Sequence, residues 1–129
     1  MFIPHIWHKG VEPWEVQPAT AGLTLKVGNA LRMNGGKLVL ATGSNKPEFI
    51  CMQDAAATTA GQMIHVERVR EETVFETELS VASGSIAAGN KYTIDTTGAM
   101  ITATTDSGVA EVVDFDGTAA GDKVRVRFP

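Results

Sequence analysis

The sequence predicts an all-β protein: a small body of short antiparallel strands with an extended N-terminal arm. Three observations carry the prediction. Short apolar runs with period-two alternation recur at a spacing of roughly 8 to 12 residues, the pattern of a sandwich or barrel. Turn formers separate nearly every pair of runs. The 13 glycines and the many threonines turn the composition away from helix.

The elements follow in order. The first 18 residues hold Pro4, Pro13 and Pro18 and both tryptophans, Trp7 and Trp14. Proline removes backbone donors, so this stretch is expected to be an extended arm over residues 1–20, ahead of a single β domain over 21–129. LTLKV (Leu23 to Val27) reads as a strand that stops at Gly28-Asn29. ALRM (Ala30 to Met33) runs into Asn34-Gly35-Gly36, a strong hairpin signal because Asn and Gly accept positive φ cheaply. KLVLAT returns from it and ends at Gly43-Ser44-Asn45-Lys46-Pro47. EFICM (Glu48 to Met52) is an apolar run of strand length. DAAATTAG (Asp54 to Gly61) reads either as a short helical turn capped by Asp54 or as a loop.

QMIHVERV sets Met63, His65 and Glu67 on one side and Ile64, Val66 and Arg68 on the other. TVFETEL sets Phe75, Thr77 and Leu79 against Val74, Glu76 and Glu78. KYTID, AMITAT, GVAEVVDF and DKVRVRF complete the set. In the last, Val124, Val126 and Phe128 share one face, and Lys123, Arg125 and Arg127 the other. A weak repeat runs through these elements. TTAGQMIHV, IAAGNKYTI and TAAGDKVRV each carry Ala-Gly and then an apolar residue three and five places after the glycine. Those places are Ile64 and Val66, Tyr92 and Ile94, Val124 and Val126. The irregular spacing indicates recurring β-turn chemistry and not a solenoid.

The 129-residue length suggests one domain, long enough to bury a core without disulfides. The single Cys51 lies in the apolar run FICM and reads as a buried, inert thiol. A net charge of -4 argues against a general nucleic-acid binder, which needs cationic surface. The N-terminus lacks the basic region of a secretion signal, and its apolar run breaks at Pro4 and His5. No apolar run approaches the roughly 18 residues that mark a membrane-spanning helix. The expectation is a soluble protein made in a cytoplasm. Charged residues are 20% of the chain, modest for a small monomer, which hints at surface covered by a partner.

Chemistry is sparse. His5 and His8 are three residues apart, but a metal needs further ligands that the sequence does not supply nearby. Asp114-Phe115-Asp116-Gly117 resembles the start of a calcium loop yet lacks the third acidic position and the distal Glu, so an Asx-type turn explains it better. No GxGxxG, GxxxxGK[ST] or GxSxG context exists. The carboxylates between Glu67 and Glu78 read as a solvated face. Phe49, Phe75, Tyr92, Phe115 and Phe128 all fall in predicted strands and read as core. The expectation is a non-enzyme with no cofactor and no metal.

The segments VGNALRMNGGKLVLATG, KPEFI, AGQMIHVERV, AAGNKYTIDTTGAMITATTDSGVAEVV and AAGDKVRVRF carry a resemblance. In this order, behind a Pro-containing arm, they resemble the small head-decoration, or cement, proteins of tailed bacteriophages. These repeat turns of the form aG-x-x-apolar, with a late hairpin, here Ala88 to Thr104, and a return strand, here GVAEVV. The resemblance implies a compact β-barrel or β-tulip body that forms a homotrimer. It implies a virion location on the outer capsid surface at threefold positions, with the major capsid protein as partner. Nucleic acid, membrane and cofactors play no part in it. The work it implies is bracing an expanded head.

Within that resemblance the arm gains a task. Phe2, Ile6, Trp7 and Trp14 are candidate anchors for a partner groove, since tryptophan is a favoured interface residue. The bland alternative has the arm folding back to cap its own body. A third option adds Phe2 to Trp7 as a strand on a sister subunit. Arg125 and Arg127 are candidates for pairing with Glu71, Glu72, Glu76 and Glu78 of a neighbouring subunit, or with an acidic capsid surface; the bland alternative is a solvated strand face. Two other functions stay open: a carbohydrate-binding or adhesin-like module stacking sugars on Trp7 and Trp14, and an enzyme whose site is built by oligomerisation.

Overall fold

A computed structural model describes residues 1–6 and 14–129. It is all-β, with two antiparallel five-stranded sheets and no helix among the described residues. The strands are β1 (Ile3–Ile6), β2 (Trp14–Pro18), β3 (Ala30–Asn34), β4 (Lys37–Leu40), β5 (Phe49–Cys51), β6 (Met63–Arg68), β7 (Val74–Glu78), β8 (Lys91–Tyr92), β9 (Ala110–Phe115) and β10 (Lys123–Arg127). The first sheet has the order β1-β7-β10-β9-β8, the second β2-β6-β5-β3-β4.

The extended arm is corrected. Ile3–Ile6 pairs antiparallel with β7, and Trp14–Pro18 pairs in full register with β6. Both prolines in these strands occupy places where a missing N–H costs little. Pro4 lies on β1, an edge strand, and Pro18 is the last residue of β2, also an edge. The reason the segment folds back is apolar burial. Phe2 is 1% exposed and meets Phe128 edge-on with ring centroids 5.4 Å apart. Its backbone N–H donates to the Gly28 carbonyl at 2.9 Å.

Two cores result. The first lies between the sheets. It gathers Phe75, Leu79, Tyr92, Val112, Val124, Val126 and Phe128 of the first sheet region with Phe2, and Ala30, Ala41 and Ile50 from the second. The second core holds Ala19, Leu25, Leu31, Leu38, Phe49, Cys51, Ile64 and Val66. It forms because the second sheet curls: Ala19, just past β2, makes a single bridge to Leu38 of β4. One bridge is not a ladder, so neither sheet closes, and the expected barrel is corrected to two open sheets.

LTLKV is not a strand. It crosses the second core as a loop, with Leu25 buried and bridged only to Ala55. DAAATTAG is likewise a loop; the Asp54 carboxylate accepts from the Val27 N–H at 2.9 Å and caps no helix. Thr58 is buried there. It donates to the Thr20 carbonyl at 2.6 Å and accepts from the Leu23 N–H at 2.9 Å, tying the two loops together over the core.

The Asn34-Gly35-Gly36 signal forms a two-residue hairpin between Asn34 and Lys37, with positive φ at both glycines as a type I′ turn requires. The repeated Ala-Gly turn is a recurrent structural unit. Thr59–Gln62, Ala87–Asn90 and Ala119–Asp122 each close with an N–H to carbonyl bond from the fourth residue to the first, and each has its glycine near φ +85°: +82, +87 and +88. Lys26–Asn29 is a fourth copy, with Val-Gly in place of Ala-Gly and φ +91. Positive φ at the third place is the demand of a type II turn. In three of the copies the fourth residue turns its side chain back. Asn29, Gln62 and Asp122 accept from the N–H of the first residue at 2.7, 3.0 and 3.0 Å. Each glycine N–H then donates outward, to Cys51, Ala19, Val112 or Leu79. The apolar pairs that follow, Ile64 and Val66, Tyr92 and Ile94, Val124 and Val126, are all at most 2% exposed. The turn therefore sets the register that sends the next strand's apolar face inward.

The late hairpin spans Lys91 to Thr104. Its rungs are Thr93 N–H to Thr104 and Thr102 N–H to Thr93, both 2.9 Å. Its tip is held by Asp95, whose carboxylate accepts from the N–H groups of Ala99 and Met100 and from the Thr97 hydroxyl.

Candidate functional site

Where the second sheet curls away from the first, half of the face it turns toward that sheet is left uncovered. In the ladder between β2 and β6, Trp14 lies opposite Glu67, Val16 opposite His65, and Pro18 opposite Met63. Directly opposed residues share a face. At the β5 side this face meets the first core, which is why Glu67 and Ile50 are buried. Toward the edge it opens. Trp14 is 59% exposed, Val16 46% and Met63 52%, and His65 is exposed beside them.

The polar groups around this face are fixed. Gln53 Oε1 accepts from the His65 backbone N–H at 2.7 Å and lies 2.8 Å from His65 Nδ1, so both the strand and the ring are pinned. The His65 and Trp14 rings are tilted against each other at 6.2 Å. On the opposite side of β2, Glu15 takes a two-pronged pair from Arg68, with Nε and Nη2 each 2.9 Å from a carboxylate oxygen. The Arg68 guanidinium also lies 4.9 Å from the centre of the Phe49 ring. Hydrogen bonding to Arg68 holds the Glu15 carboxyl below the usual glutamate range and raises Arg68. β2 is thus a stiff presenting strand, with Trp14 and Val16 standing out from it.

The predicted anchors separate. Trp14 is on this face. Phe2 is in the first core and is presented to nothing, a correction forced by its contact with Phe128. Ile6 is in β1, on the other sheet, opposite Val74. Trp7 and His8 lie outside the described residues. Val16, Met63 and His65 were not singled out as anchors. The alternation in QMIHVERV put Met63 and His65 on a common face, but nothing in the sequence says that this face looks outward.

The predicted interface charges are paired within the chain. On the outer face of the first sheet Lys123 reaches Glu78 at 3.0 Å and Arg127 reaches Glu111 at 3.0 Å. Arg125 binds Asp114 and Asp116 on one side and Glu76 at 3.3 Å on the other. Asp116 and then Asp114 push the Arg125 pKa up. The pairing with Glu76 and Glu78 expected between subunits is made across β7, β10 and β9 of one chain, because β10 lies between the two acidic strands.

A cleft of about 500 Å³ lies beside this ladder, with Val74, Val112 and Val113 on its apolar lining and Glu72, Glu111 and Arg127 as its polar groups. Among the described residues no group of three or more His, Cys, Asp and Glu side chains is placed to hold a metal ion. Cys51 is buried, its Sγ donates to the Gln53 carbonyl at 3.0 Å, and burial raises its pKa, which keeps it a thiol. No family model matches the chain, and no curated protein matches it.

Proposed function

We propose that the chain is a head-decoration protein of a tailed bacteriophage, binding the outside of the expanded capsid as a homotrimer and bracing it without chemistry. The reading takes its family from the turn-and-strand resemblance. The observation that carries it is the exposed Trp14, Val16 and Met63 strip on a rigid strand pair. An apolar strip with an indole at its end, held by an ordered ladder, loses little conformational freedom on docking. The partner is the major capsid protein and the location is the virion surface.

The test is co-sedimentation with expanded heads built from the major capsid protein of the same genome. Saturable binding in multiples of three per head position is expected. Trp14→Ser removes the indole anchor, and a hot-spot loss of about 2 kcal/mol corresponds to roughly 30-fold weaker binding per site. Chain that stays in the supernatant at every ratio overturns the reading.

A second reading has one observation in its favour. Trp14 beside the pinned His65 offers a sugar-stacking platform, the carbohydrate-binding alternative. A glycan array separates the two: a decoration protein binds none of the sugars, and a Trp14-dependent glycan signal favours the alternative.

A further inference from the structure

We infer that the open edge of β2 pairs antiparallel with the same edge of a second copy of this chain, across a twofold axis through Glu15. The inference concerns only the chain and its own copy, and it goes beyond the proposed capsid role without depending on it.

The edge's hydrogen-bonding parity follows from its flanks. The Ala19 N–H donates to Gln62 on the β6 side, and the Thr20 N–H donates to Leu38 on the opposite side. Odd-numbered positions of β2 therefore bond to β6, and even-numbered ones face outward. The His65 carbonyl accepts from Met52 on the β5 side, which is the parity this assignment requires of β6. The N–H and C=O groups of Trp14 and Val16 thus point to the edge, where no described strand lies alongside.

A twofold axis at Glu15 sets Trp14 opposite Val16 of the copy, and Val16 opposite Trp14 of the copy. Both are hydrogen-bonded pairs, so all four outward groups of each chain's Trp14 and Val16 are satisfied together. Among centres that pair only described residues of β2, no other does so. Centring on Val16 places Trp14 opposite Pro18, which has no N–H to give. The chosen register also lays Trp14 against Val16 on the exposed face, an aromatic to β-branched cross-strand pair. It brings the two Glu15 residues together, and each already carries its own Arg68, so the two edges meet with their charge compensated.

The remaining edges are guarded by familiar devices. β1 contains Pro4, β8 is two residues long, and β4 opens with the exposed Lys37 and meets Thr20. β2 carries no lysine and shows Trp14 and Val16 instead. Two side chains a copy is far below the ~800 Å² per partner of a stable interface, so the pairing is reversible and concentration-dependent. On a capsid lattice adjacent threefold positions are related by local twofold axes, so such a contact would join neighbouring trimers and double the apolar face presented below.

Sedimentation velocity of the full chain over a dilution series tests this. The wild type is expected to double its assembling unit as concentration rises toward about 1 mM, the weak end of measurable association. Val16→Pro removes an outward N–H and no bond to β6, so it should keep the wild-type circular dichroism and melting point and lose the doubling. Should that variant fail to fold, Trp14→Lys with Val16→Lys guards the edge by side chain alone. Hydrogen exchange on the wild type should show the Trp14 and Val16 amides gaining protection at high concentration. A wild type that never doubles, or a folded edge variant that doubles as well as the wild type, overturns the inference.

Discussion

Substituting the turn glycines separates backbone strain from packing. Gly61, Gly89 and Gly121 occupy the same place in the repeated turn with φ +82, +87 and +88, and a Cβ built on each has nothing within 4 Å. Alanine there is penalised only for its conformation, about 1–2 kcal/mol per site. For a chain of this length that lowers the melting point by about 4 °C per kcal/mol. Gly28 holds the same turn position at φ +91, but a Cβ there would sit 2.0 Å from Met1 Cγ and 2.8 Å from Met1 Cβ. Met1 cannot move alone, because the Phe2 N–H is bonded to the Gly28 carbonyl and the Phe2 ring is in the first core. Gly28→Ala should therefore cost about 3 kcal/mol or more, combining strain with overpacking. Urea unfolding of the four alanine variants, with unchanged m-values, is the assay. Asparagine at Gly61, Gly89 and Gly121 should cost less than alanine, since it tolerates the left-handed region. Equal costs at Gly28 and Gly121 would refute the overpacking against Met1, and no cost at the three open sites would refute the turn assignment.

Four further outcomes are expected. Phe2→Ala empties a fully packed site in the first core and should cost about 3–4 kcal/mol, and deleting residues 2–17 should unfold the protein and not release an intact body; urea unfolding and circular dichroism read both. Arg125→Met leaves Glu76, Asp114 and Asp116 facing one another without their cation, so stability at pH 7 should fall by about 1 kcal/mol, with the deficit shrinking as pH falls through the Asp116 value that Arg125 lowers and with the native mass unchanged. The Glu15 carboxyl is held below its ordinary value of 4.5 by Arg68, so its stabilisation is complete above that pH and is lost as pH falls through the lowered value; Glu15→Gln should remove about 0.5 kcal/mol of that acid-side slope in unfolding measured from pH 7 to pH 3.

The period-two text was legible because side-chain alternation is a local property of a strand. Val124, Val126 and Phe128 are buried as their spacing indicates, and the Ala-Gly turns place their apolar pairs inward. The arm was not legible. Prolines read as breakers, and whether a proline is tolerated depends on whether its strand is an edge, a fact of topology. LTLKV alternates like a strand, yet its neighbours across space are loop residues Ala55 and Thr58, so it runs as loop over the second core. The partners of Arg125 were out of reach because they depend on β10 lying between β7 and β9. Trp14 was found as a candidate because of its size. Its companions Val16, Met63 and His65 become a surface only through the curl that uncovers half of the second sheet.

The proposed place of this chain, on the outside of a phage head, is open to direct test. The most direct measurement is electron cryomicroscopy of virions made with and without the gene, with the chain quantified by mass spectrometry in the purified particles. A decoration protein should give difference density at threefold positions on the outer surface, with the β2–β6 face toward the capsid. Identical particles, together with absence of the chain from purified virions, would contradict it.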